Sequence, residues 1–142
     1  MKDSRELKIN IGVTAHDTKK NELVKYLGEV ESYLKECNIY ATGNTAFIIE
    51  DKTGIRVKRL LPGEAGGYEQ LSSLVAEGKI DMIIFLRDPF YNSVASNAEE
   101  ALHRICDINN VIFASNIKMA RIITSFALVK GDIPDTIVWE DL

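Results

Sequence analysis

The sequence predicts an α/β fold: a single doubly wound domain on a parallel sheet, spanning residues 1–142. Three observations lead there. Short apolar, β-rich runs alternate with stretches of helical periodicity along the chain. One run, DMIIFL at 81–86, is apolar for most of its length, as in a strand covered on both faces. No internal repeat, low-complexity segment or interdomain linker interrupts the pattern.

The elements follow in order. INIGVTA (9–15) reads as a strand. From about Asp17 to Glu36, Leu23, Leu27, Val30 and Leu34 recur at helical spacing, with Val24 alongside. Ile39 to Thr42 is a short strand, and Asn44 to Lys52 a short helix that Gly54 suits as a stop. Ile55 to Leu61 sets Val57 among charges and reads as another strand. Gly67 to Glu77 is a helix stopped by Gly78, and Asp81 to Leu86 the buried strand. A loop follows Pro89, then a helix runs to about Ile108. Val111 to Ala114 is a strand, Ile117 to Leu128 a helix, and TIVW (136–139) a further short extended piece.

Composition narrows the function classes. Apolar residues make up 46% and charged residues 27%, the balance of a globular chain. A net charge of −4 supplies no basic field for nucleic acid, and no run reaches the ~20 apolar residues of a membrane span. MKDSRELK lacks the apolar core of a signal peptide, so a cytoplasmic location is expected. Cys37 and Cys106 form no CxxC pattern, which argues against a disulfide or a metal site.

Right-handed crossovers bring the strand-to-helix turns to one sheet edge, where ligands of such sheets bind. In AHDTKK, Asp17 either caps the following helix or serves a ligand. Lys20 faces the positive end of that helix, a cost of ~0.3–1 kcal/mol that an anion between them would reverse; solvation at the surface is the plainer reading for a lone lysine. In TGNT, Thr42, Gly43, Asn44 and Thr45 offer hydroxyls and backbone N–H groups at a helix start. Capping by Asn44 or Thr45 is the plainer reading. In PGEAGGYEQ, Gly63, Gly66 and Gly67 let the backbone approach a ligand closely, but no GKT or GKS follows, so this is not a P-loop. Asp88 of RDP either receives backbone hydrogen bonds before the proline turn or orients a ligand hydroxyl. His16 at the sheet edge is a site candidate; His103, mid-helix among charges, reads as surface.

AHDxxK, YATGxT, a GG turn, AEGKID, FLRDP and the ASN turn, in this order over roughly Ile9 to Thr124, resemble the methylglyoxal synthases. The resemblance implies a doubly wound α/β domain, a homohexamer, and conversion of dihydroxyacetone phosphate to methylglyoxal and phosphate without metal or organic cofactor. His16, Asp17 and Lys20 match the family's AHDxxK; Thr42, Gly43 and Thr45 match its phosphate-binding TGxT; Gly63, Gly66 and Gly67 match its glycine turn; Asp88 matches the aspartate of RDP.

The departures fall on the chemistry. The family's base aspartate follows the GG pair, where this chain has Tyr68; Ala95 and Ala98 stand where the family has histidine and aspartate, and Pro62 replaces a serine. A tyrosine of ordinary pKa is ionised in about one molecule in a thousand at pH 7. Losing a general base costs about 10²–10⁴-fold. Glu64, in the glycine turn, is the substitute base available nearby; Glu69 lies about 100° round the helix. The reading is thus a methylglyoxal synthase-like protein that binds phosphate or a small phosphorylated metabolite, with weak or no synthase activity. The alternatives are an active synthase using Glu64 or Asp17 as base, an allosteric effector module in which Tyr68 stacks on a nucleobase, and a purely structural oligomer, against which Lys20 and TGNT weigh.

Overall fold

The structure, a computed structural model, describes residues 8–131 and 133–141. Five strands form one parallel sheet: β1 (Asn10–Ala15), β2 (Asn38–Ala41), β3 (Val57–Arg59), β4 (Met82–Leu86) and β5 (Ile112–Ala114), in the order β3-β2-β1-β4-β5. Five α-helices connect and follow them: α1 (Lys20–Leu34), α2 (Gly43–Lys52), α3 (Gly67–Ala76), α4 (Ser96–Ile108) and α5 (Ile117–Lys130). After β3 the chain crosses to the far side of β1, so the topological switch lies between β1 and β4.

Alternation along the central strands sorts the core onto two faces. Ile11, Val13, Ala15, Met82, Ile84 and Leu86 pack with Leu23, Tyr26 and Leu27 of α1, Ala46 and Ile49 of α2, and Ala120 of α5. Ile83 and Phe85 point the other way, onto Leu71 and Val75 of α3 and Leu102 and Cys106 of α4. All five β4 residues are buried, as expected of a central strand with helices on both sides. Truncating Ile83 or Ile84 to alanine costs about 2–5 kcal/mol. The Tyr26 hydroxyl bonds Thr124, tying α1 to α5 beneath the sheet.

The structure differs from the sequence expectation at three places. Asp17–Lys19 form a 3₁₀ turn, and the α-helix starts only at Lys20. The third strand is three residues long rather than 55–61. Its ladder ends with Leu60 N–H to Ala41 O (2.8 Å), after which Leu61 turns to pair with Gln70 and Gly43, and Pro62 has no N–H to donate. TIVW is not a strand: Ile137, Val138 and Trp139 are exposed, and Trp139–Asp141 close a 3₁₀ turn. Among the described residues no helix is long and apolar enough to cross a membrane.

Candidate active site at the switch point

The C-terminal end of β1, the turn after β2, the glycine turn and the loop that carries Tyr91 and Ser93 enclose a cleft of about 210 Å³. Nine of the residues singled out in the sequence line it: His16, Asp17, Lys20, Thr42, Asn44, Thr45, Gly63, Glu64 and Tyr68. Gly43, Gly66, Gly67 and Asp88 do not. The Gly43 N–H is taken by Leu61 O at 3.1 Å. Gly66 adopts φ +115°, the left-handed region that glycine favours, and Gly67 lies so close to the Leu61 and Pro62 carbonyls that a Cβ would collide with them. These two glycines shape the turn, and the turn then presents Gly63 and Tyr68 to the cleft.

One wall suits an anion. The Lys20 side chain is largely buried; its ammonium donates to Ala15 O at 2.7 Å and lies 3.2 Å from the solvent-exposed Asp17 carboxylate. The Ala15 bond uses one of its three donors. Thr42 and Thr14 share a hydroxyl hydrogen bond at 2.7 Å. Thr45 is 1% exposed, and its hydroxyl has no partner among the described residues. An orphaned buried hydroxyl is uncommon, because its desolvation costs about 1–3 kcal/mol when nothing compensates it. It sits in the first turn of α2, where backbone N–H groups lack intrahelical acceptors.

The cleft also has a phenolic side. Tyr68 is 5% exposed, its ring stacks on Phe85, and Gly63 approaches that ring so closely that a side chain there would clash. Its hydroxyl lies near the Thr14 side chain, whose hydroxyl lowers the phenol's pKa a little. Burial, and secondly the Glu99 carboxylate, push its pKa up to about 12. At pH 7 only about one molecule in 10⁵ carries a phenolate, so Tyr68 faces the cleft as a neutral hydroxyl and not as a base. Glu64 is exposed in the 3₁₀ turn Gly63–Ala65 and accepts a hydrogen bond from the Tyr91 hydroxyl at 3.3 Å. Ala95 and Ala98 pack against the apolar cluster that contains Tyr68.

Behind the cleft lies a wider depression bordered by Lys19, Arg87, Asp88, Glu99 and Asn116; His16, Tyr91 and Ser93 border both. His16 extends the β1–β4 ladder, its N–H reaching Leu86 O at 3.1 Å. Asp88 N–H donates to His16 Nδ1 at 2.8 Å. Nδ1 is therefore the acceptor, and Nε2–H donates to Glu99 Oε1 at 3.0 Å. Thr18 Oγ and Phe90 N–H donate to the Asp88 carboxylate and lower its pKa.

Sequence reasoning missed Glu99, Thr14 and Tyr91. Glu99 carried a usable signal: with Leu102 and Cys106 it falls at i, i+3, i+7, on the apolar stripe of α4. Thr14 and Tyr91 had none, being one residue of an apolar strand and one of a loop.

The sequence model of the family described as MGS-like domain matches residues 22–115. The chain is 39% identical over 134 residues to a methylglyoxal synthase of Thermoanaerobacter sp. (strain X514), covering 94% of this chain and 98% of the relative. It is 41% identical over 125 residues to that of Caldicellulosiruptor saccharolyticus, covering 88% of each. The crystal structure of methylglyoxal synthase from Elizabethkingia anophelis NUHP1 superposes with a TM-score of 0.74 at 28% identity, covering 92% of this chain and 95% of that one. A five-stranded parallel sheet in this order, a cleft at its switch point and these identities agree: the chain belongs to the methylglyoxal synthase family.

Proposed function

We propose that the cleft binds inorganic phosphate or a small phosphorylated metabolite, and that the chain turns over dihydroxyacetone phosphate weakly or not at all. The observation that carries this reading is the pairing of an anion-suited wall, Lys20 with the unpartnered Thr45 hydroxyl, with a buried neutral phenol at Tyr68. Synthase chemistry removes a proton from the carbon beside the carbonyl, forms an enediolate and expels phosphate. Tyr68 cannot accept that proton at neutral pH. The cleft's volume, below the roughly 300 Å³ at which drug-sized pockets begin, suits a triose phosphate better than a nucleotide.

A second reading, an active synthase, is favoured by the near full-length identity to proteins named methylglyoxal synthase. It requires Glu64 or Asp17 as base. Methylglyoxal release from dihydroxyacetone phosphate, measured against a no-enzyme blank, separates the two. A rate near the blank supports the proposal. Robust turnover abolished by Glu64→Gln or Asp17→Asn establishes the second reading.

A further inference from the structure

Glu99 is an expensive residue for its position. It is 2% exposed, on the face of α4 that otherwise buries Leu102 and Cys106. A carboxylate taken out of water destabilises the fold unless partners compensate it, and an aliphatic side chain would suit the stripe better. Its side-chain partner is His16, 3.0 Å from Oε1; Oε2 is buried with no partner among the described residues. The carboxylate is therefore placed for what it does to the imidazole.

That imidazole is a junction. A neutral ring can accept at Nδ1 only if its proton is on Nε2, and Glu99 Oε1 is the acceptor that favours this tautomer. With Nδ1 free of a proton, His16 receives the Asp88 N–H at 2.8 Å. The Asp88 carboxylate then takes the Thr18 hydroxyl at 2.7 Å, and Thr18 belongs to the 3₁₀ turn that leads into Lys20. A continuous chain of hydrogen bonds thus runs from α4, through the edge of the sheet, to the loop that forms the cationic wall.

We propose that Glu99 is a positioning residue of the cleft: it holds His16 in the Nε2–H tautomer, and His16 in turn fixes the Asp88 turn against the Thr18–Lys20 loop. The inference rests on the reading of the cleft as a ligand site only in its second consequence, ligand affinity. Its first, the state of His16, stands apart from any ligand.

The test compares Glu99→Gln, which keeps an oxygen acceptor toward Nε2–H, with Glu99→Leu, which suits the apolar stripe but removes the acceptor. Long-range ¹H–¹⁵N correlation reads the His16 tautomer, amide shifts read Thr18 and Asp88, and titration with inorganic phosphate reads the cleft. The natural protein and Glu99→Gln are expected to show one tautomer, with a protonated Nε2. Glu99→Leu is expected to show averaged ring nitrogens, displaced Thr18 and Asp88 amides, and phosphate binding weakened about tenfold, within the usual range of coupling inside one hydrogen-bonded network. An unchanged His16 tautomer and Asp88 amide in Glu99→Leu would overturn the proposal. A changed tautomer with unchanged phosphate affinity would overturn Glu99's claim on the cleft. If the natural protein binds no phosphate, the reading of the cleft fails, while the tautomer arm still decides what Glu99 does to His16.

Discussion

The ring of Tyr68 lies stacked on that of Phe85, centroids 5.4 Å apart and planes 17° from parallel, so Tyr68 is part of the apolar core. The same residue also lines the cleft. This joint membership sets the consequences of changing it.

Alkaline stability reports on that burial. A phenol with a folded pKa of about 12 and an unfolded value near 10 favours the native state while protonated. The stabilisation is complete below pH 10 and is lost as pH rises from 10 to about 12. For Tyr68 it amounts to on the order of 2–3 kcal/mol. Tyr26, also raised to about 12 by burial, titrates in the same window. Denaturant melts between pH 9 and about 12 should therefore lose stability steeply, and Tyr68→Phe should make the loss shallower. An identical pH slope for the variant would refute the assignment.

Phosphate binding should depend on Lys20 and Thr45. A ligand at 100 times its dissociation constant adds about 2.7 kcal/mol of stability, which a thermal melt detects. Lys20→Ala should weaken phosphate binding at least about tenfold, and Thr45→Ala by roughly three- to tenfold, as one charged and one neutral hydrogen bond are lost. Millimolar phosphate and triose phosphates that leave all three melting temperatures unchanged would exclude an anion site.

Synthase activity should be recoverable in part. Tyr68→Asp supplies an ionisable base but removes a stacked, buried ring, at about 3–5 kcal/mol of stability. A small gain is expected from it alone, and a larger one when Ala95→His and Ala98→Asp are added, since residues of one catalytic unit are non-additive. Ala95 and Ala98 pack against the same apolar cluster as Tyr68, so full recovery is not expected. The measurement is methylglyoxal released, normalised to the folded fraction; a triple variant no better than Tyr68→Asp would count against the cooperative account.

Assembly is the fourth test. Phe90 is 94% exposed and Val94 86% exposed on the loop before α4. Apolar residues exposed close together on one loop are the kind of surface that a subunit contact covers. Light scattering across a concentration series should give a closed homo-oligomer, a hexamer on family grounds. A monomer throughout, or Phe90→Ser with Val94→Ser leaving the assembly intact, would argue against this surface as the contact.

What the sequence determined by itself was the part written in local patterns. The apolar run of β4 and the helical spacing of α1 each lie within one element, so each element declares itself without its neighbours. The turns after β1 and β2 were legible for a related reason. Once the strands are parallel, their C-terminal ends must share an edge, and Lys20, Thr42 and Thr45 meet there. Only the tertiary structure decided that Tyr68 joins the core and lines the cleft at once, because Phe85 reaches it from β4 and Thr14 from β1. Glu99 and His16 are the sharper case. They are 83 positions apart, and they meet because the chain crosses to the second face of the sheet before α4 packs beside the end of β1. A carboxylate among apolar helix positions shows in the sequence that something must compensate it; which imidazole does so is a property of the fold.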